Sequence, residues 1–60
     1  MTSENQTKIK ELQTKINDAY RMAFQYEEVG KDVTADKYFR IAAELQTKKE
    51  ALIDEENNKK

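Results

Sequence analysis

The sequence predicts an all-α fold, an antiparallel two-helix hairpin that is expected to dimerise into a four-helix bundle. Two observations predict the hairpin: apolar residues recur at helical spacing on both sides of residue 30, and Gly30 is the only glycine of a 60-residue chain without proline. The dimer is predicted because each helix carries an apolar face wide enough for two neighbours. A chain of this length also buries only about 60% of the surface that its unfolded form exposes.

The first helix is predicted over residues 3 to 29. Its apolar residues follow one another in steps of three and four, which is the spacing of one face of an α-helix. These residues are Ile9, Leu12, Ile16, Ala19, Ala23 and Tyr26. Tyr20 and Phe24 lie beside this stripe and widen it to roughly 160°, at about 100° per residue.

Gly30 is predicted to be the hinge, because glycine ends a helix in the left-handed conformation without a Cβ penalty. The turn is predicted over residues 30 to 34, and such a short connection returns the second helix antiparallel to the first. This second helix is predicted over residues 35 to 55, followed by a polar tail, residues 56 to 60, that frays. Its apolar residues are Ala35, Tyr38, Phe39, Ile41, Ala42, Leu45, Leu52 and Ile53.

Pairing the helices about the hinge predicts which side chains meet between them. In the hinge half, next to Gly30, Tyr26 should lie near Tyr38. In the open half, where the chain ends lie, Gln13 and Lys49 should fall near the middle. Because polar residues interrupt the apolar contact there, the open half is predicted to be the less stable one.

Composition argues against an enzyme. The chain contains no cysteine and no histidine, which removes the usual nucleophile–base pairs and most sets of transition-metal ligands. A single glycine excludes a glycine-rich phosphate loop, and 12 acidic against 11 basic residues indicate a mixed solvated surface. We therefore expect no catalytic residue, no cofactor, no metal site and no small-molecule substrate.

Charge and hydropathy narrow the partners further. The net charge of −1 creates no field that attracts nucleic acid, and no run of apolar residues exceeds three, so no membrane span is predicted. Cytoplasmic residence is the default expectation. Without disulfides or metals to support so small a domain, association is the remaining route to stability.

The candidates for an association surface are five large side chains: Tyr20, Phe24, Tyr38, Phe39 and Ile41. A place in the core is favoured for Tyr38 and Phe39, whereas Tyr20 and Phe24 fit the core and an association surface equally well. A hairpin has one inner seam, so the excess apolar surface must meet either a second copy or a partner protein, with aromatic residues as anchors.

Residues 19 to 42 resemble a tetratricopeptide-type helical hairpin. Ala23 stands where that family has a small residue, Tyr26 where it usually has tyrosine, and Gly30 at the turn. Three residues of the second helix then follow in the family's A-x3-F-x2-A spacing: Ala35, Phe39 and Ala42. The resemblance implies a helical fold and a protein-binding habit, not catalysis.

The layout is also similar to the Rop-type RNA-binding hairpin, in which two copies pair as a four-helix bundle. Length and the single bend agree, but a patterned basic and aromatic face for RNA is not found. A pentapeptide, Glu-Leu-Gln-Thr-Lys, occurs at residues 11–15 and again at residues 44–48. Coincidence or similar helical usage is favoured as the explanation, and internal duplication is the alternative.

The sequence thus favours a small non-enzymatic protein–protein interaction module. It would act as a self-associating hairpin, a homodimer that serves as adaptor, inhibitor or regulator of a larger protein, in the manner of many small phage and bacterial regulators. The alternative is a Rop-like RNA- or nucleic-acid-binding dimer with a regulatory role.

Overall fold

Two long helices make up nearly all of the computed structural model, which describes residues 3–58 apart from the side chain of Ser3. Helix α1 spans Ser3–Glu28 and helix α2 spans Asp32–Asn58, and no strand occurs in this part of the chain. The helices pack against each other as an antiparallel hairpin. The predicted all-α hairpin is confirmed, while its dimerisation stays a prediction.

Gly30 forms the hinge with a φ of +79°. Its N–H donates a hydrogen bond to the Glu27 carbonyl at 3.1 Å, and the Lys31 N–H donates to the Tyr26 carbonyl at 2.9 Å. These two bonds constitute a Schellman motif, which satisfies carbonyls at the end of α1 that have no partner within the helix. The predicted role of Gly30 is confirmed.

The reversal is shorter than the predicted turn over residues 30 to 34. Helix α2 begins at Asp32, because the Schellman motif has already turned the chain at Gly30 and Lys31. The Ala35 N–H donates to the Lys31 carbonyl at 2.9 Å, so Lys31 accepts the first helical hydrogen bond. Asp32 then lies in the first turn, where the helix dipole favours a negative charge.

The end of α2 also differs from the prediction. The helix was predicted to stop at residue 55, but it continues through Asn58. The reason is Glu56, which follows Ile53 by three residues and therefore lies on the face toward α1. It is only 8% exposed and accepts a hydrogen bond from the Asn5 side-chain amide. The rest of the predicted tail, residues 59 and 60, lies outside the described residues.

The seam between the helices is built mainly from alanine. Among the described residues, the buried apolar side chains are Ile16, Ala19, Ala23, Ala35 and Ala42. Ala23 and Ala42 are completely buried, and side chains this small let two helices approach closely. No large side chain in this part of the chain is fully buried, so the hairpin has a close contact but a thin core.

Cross-helix contacts run from the hinge to the open end. The rings of Tyr26 and Tyr38 stack near the hinge, with centroids 5.5 Å apart and planes 8° apart, as predicted. In the open half the Lys49 ammonium donates a hydrogen bond to the Gln13 side-chain oxygen, which confirms that these residues meet. Polar pairs in an apolar seam specify the register of two helices, because a slip separates both partners.

The hairpin is a flat rod with principal extents of 47 × 16 × 10 Å. Its radius of gyration of 14.0 Å exceeds the value of about 10.4 Å expected for a compact 60-residue domain. The accessible surface of 4634 Å² likewise exceeds the roughly 4,100 Å² expected for a folded monomer of this mass. Both broad faces of the rod are therefore open to neighbours.

Candidate interaction surfaces

An aromatic cluster, formed by Tyr20, Phe24 and Phe39, lies on one broad face of the hinge half. Phe24 meets Phe39 edge to face, with ring centroids 5.5 Å apart and planes 82° apart. Tyr20 lies 6.1 Å from Phe39 and 6.4 Å from Phe24 between ring centroids. Helical spacing explains the cluster, since Tyr20 and Phe24 are one turn apart on α1 and Phe39 faces them from α2.

The rings of the aromatic cluster contact one another but remain open on their outer side. Phe24 is 55% exposed and Tyr20 is 40% exposed, while Phe39 is half-buried between them and the seam. Ring pairs in such geometries contribute about 0.5–1.5 kcal/mol each beyond the burial of area. The rings therefore hold one another in place while they present apolar surface to solvent.

Beside Phe39 the surface is acidic. A shallow pocket at the hinge end is lined by Phe39, Ala35, Glu27, Asp32 and Asp36. Asp36 forms an exposed ion pair with Arg40 at 3.1 Å, one helical turn away. The aromatic cluster thus borders a region in which carboxylates predominate.

A second surface, the groove face, lies on the opposite broad side of the hairpin. Its hinge-half groove is lined by Lys15, Asp18, Ala19, Met22, Tyr38, Ile41 and Leu45. Its open-half groove is lined by Lys8, Glu11, Leu12, Lys15, Lys48, Ala51, Leu52 and Glu55. The two grooves adjoin at Lys15, which lines both, and each combines apolar residues with charged side chains.

Both copies of the repeated pentapeptide contribute residues to the groove face. Its leucines are Leu12 and Leu45, one on each helix, and its lysines are Lys15 and Lys48, which line the same open-half groove. Counted over both grooves, three lysines accompany three acidic residues. The groove face therefore combines an apolar centre with a balanced charge.

The five side chains predicted for association fall on these two surfaces. Tyr20, Phe24 and Phe39 form the aromatic cluster, whereas Tyr38 and Ile41 are half-buried on the groove face. The separation follows from helix geometry, since neighbouring residues such as Tyr38 and Phe39 point about 100° apart. The five residues predicted together as association candidates therefore belong to two separate surfaces of the hairpin.

Sequence reasoning missed several surface residues. Val29 is 67% exposed and Val33 is 87% exposed, one on each side of the hinge, and Met22 lines the hinge-half groove. The stripe chosen from the sequence passes from Ala19 to Ala23 and ends at Tyr26, and the second stripe begins at Ala35, so none of the three was selected. The sequence signal that could have identified these three residues is an apolar side chain at a position outside the seam.

Residues 3–58 offer neither a cluster of metal ligands nor a helix suited to a membrane span. No group of three or more acidic side chains in this range is placed to hold a metal ion. Neither α1 nor α2 is long and apolar enough over its described length to cross a membrane.

The chain is thus an all-α helical hairpin that presents an aromatic cluster on one broad face and an apolar groove on the other. No protein-family model, no curated protein and no solved structure matches it. These comparisons do not support the tetratricopeptide and Rop-type resemblances. The hairpin architecture is shown by the two packed helices of the structure itself.

Proposed function

We propose that this chain is a non-enzymatic protein–protein interaction module, a self-associating helical hairpin that acts as adaptor, inhibitor or regulator of a larger protein. The observation that carries the proposal is the exposed aromatic cluster, in which Phe24 leaves 55% and Tyr20 leaves 40% of its surface in solvent. Aromatic residues are enriched at protein interfaces because they bury a large area with few rotatable bonds.

Self-association is supported by the thin core. A domain of this size rarely obtains more than about 3–5 kcal/mol from one core, and the seam here buries alanines in place of large side chains. A second hairpin would supply the missing apolar contacts and complete a four-helix bundle. We also propose a cytoplasmic location. The chain has no cysteine, which agrees with a compartment in which disulfides are rare.

Affinity capture from the native host tests the proposal with three forms of the protein. Wild type is compared with Phe24→Lys, which places a charge in the aromatic cluster, and with Gln25→Lys, a matched change at the next, exposed position. We expect one protein to be retained by wild type and Gln25→Lys and lost with Phe24→Lys, then to bind as a purified protein in calorimetry. Identical protein patterns from all three forms, with helicity equal by circular dichroism, would contradict the proposal.

The alternative function is a Rop-like RNA-binding dimer. It is supported by Lys8, Lys15 and Lys48, which line one groove and could contact phosphates. Glu11 and Glu55 line the same groove and oppose an anionic ligand, so we favour the protein partner. A gel-shift titration with structured RNA separates the two, since only the alternative predicts a salt-sensitive change in mobility.

A further inference from the structure

We propose that the groove face is the homodimer interface of this chain, and that a second copy covering it leaves the aromatic cluster on the outside of the dimer for a different protein. The inference rests on the proposed function, because it assigns the two surfaces of one interaction module to its two kinds of partner.

The size of the groove face fits a stable dimer. The rod is 47 Å long and 16 Å wide, so the outline of either broad face is about 750 Å². A standard protein–protein interface buries about 800 Å² on each partner. The two adjoining grooves place apolar residues in both halves of the rod, so a second hairpin can contact this face along its length.

The groove face carries equal numbers of basic and acidic side chains. Its lysines are Lys8, Lys15 and Lys48, and its acidic residues are Glu11, Asp18 and Glu55. A two-fold axis places the same patch on both partners, and equal numbers of the two signs let each copy offer acids to the other copy's lysines. Such pairs at the border of an interface select the correct partner and orientation.

The aromatic cluster is a poorer surface for a second copy. Glu27, Asp32 and Asp36 surround the pocket beside Phe39, with Arg40 paired to Asp36. Two copies joined through this pocket by a two-fold axis would bring carboxylates against carboxylates, which disfavours the complex. An apolar surface with a mainly basic border suits this region better, and we assign it to a different protein.

Sedimentation equilibrium with matched variants tests the assignment. Ala51 lines the open-half groove yet is exposed in the hairpin, so Ala51→Glu should leave the hairpin folded and bury a charge only in the dimer. The control is Ala43→Glu, the same change at an exposed site of the same helix, one turn after Phe39 and outside both grooves. A third variant, Phe24→Ala, removes the exposed ring of the aromatic cluster.

We expect wild type, Ala43→Glu and Phe24→Ala to form dimers of similar affinity, and the dissociation constant of Ala51→Glu to rise roughly tenfold or more. If circular dichroism shows that Ala51→Glu has lost helicity, Lys15→Glu replaces it, since this exposed residue lines both grooves. A monomeric wild type at high micromolar concentration overturns the inference, but leaves capture of a partner by the aromatic cluster intact. A dimer that is lost with Phe24→Ala and kept with Ala51→Glu overturns it by placing the interface on the other face.

Discussion

Replacing Gly30 with alanine should destabilise the hairpin by about 1 kcal/mol. Gly30 has a φ of +79°, and a Cβ in the left-handed conformation crowds its own backbone at a cost of roughly 1–2 kcal/mol. A Cβ at this position meets no further atom within 4 Å, so no collision adds to that cost. Alanine also reduces the entropy of the unfolded chain, which offsets about 0.4–1 kcal/mol.

Thermal unfolding followed by circular dichroism measures this loss, at one fixed protein concentration because association shifts the midpoint. A change of 1 kcal/mol moves the midpoint of a small domain by about 4–8 °C. Gly30→Asn is the matched control, since asparagine tolerates the left-handed conformation better than alanine. An alanine variant that melts with wild type, or above the asparagine variant, would refute the left-handed hinge.

Two predictions concern the seam. Ala42 is completely buried, so Ala42→Leu should overpack the seam and lower the free energy of unfolding by about 1–3 kcal/mol. Chemical denaturation measures this loss. The control is Ala43→Leu, a change at an exposed position that should alter the free energy of unfolding little. The double variant Gln13→Leu/Lys49→Leu removes both partners of the cross-helix hydrogen bond. It should melt at a higher temperature than wild type, because apolar residues replace a partly buried polar pair. Sedimentation should show a mixture of association states, because the register of the helices is less specified. A lower midpoint with one association state would contradict that role of the pair.

The seam could be predicted from the sequence because it depends on local geometry. Apolar residues at steps of three and four must share one helix face, and the only glycine of the chain marks the one place where the backbone can easily reverse. These two facts place Ala23, Ala42 and the pairing of Tyr26 with Tyr38 without further information. These contacts of the hinge-half seam therefore follow from spacing alone.

The open end could not be predicted in the same way. Glu56 is a charged residue in a polar stretch, and its burial depends on Asn5, which lies 51 positions earlier in the chain. No local pattern connects two residues so far apart. Only the complete antiparallel register brings them together, and that register also carries α2 beyond its predicted end.

The sequence alone could predict part of the division of the association candidates into two surfaces. Tyr38 and Phe39 are neighbours, so they must point in different directions. Which of them joins Phe24 depends on how α2 is rotated against α1, and that rotation is set by packing across the seam. The aromatic cluster and the groove face are therefore properties of the fold.

A second copy that covers the groove face leaves the aromatic side of the hairpin open. Thiol labelling measures this directly, because the chain has no cysteine of its own. Ala51→Cys reports on the groove face, and Ala43→Cys reports on the side of the aromatic cluster, one turn after Phe39. As the protein concentration rises, we predict that labelling slows at position 51 and stays constant at position 43. Constant rates at both positions, or slowing at position 43 alone, would contradict the claim.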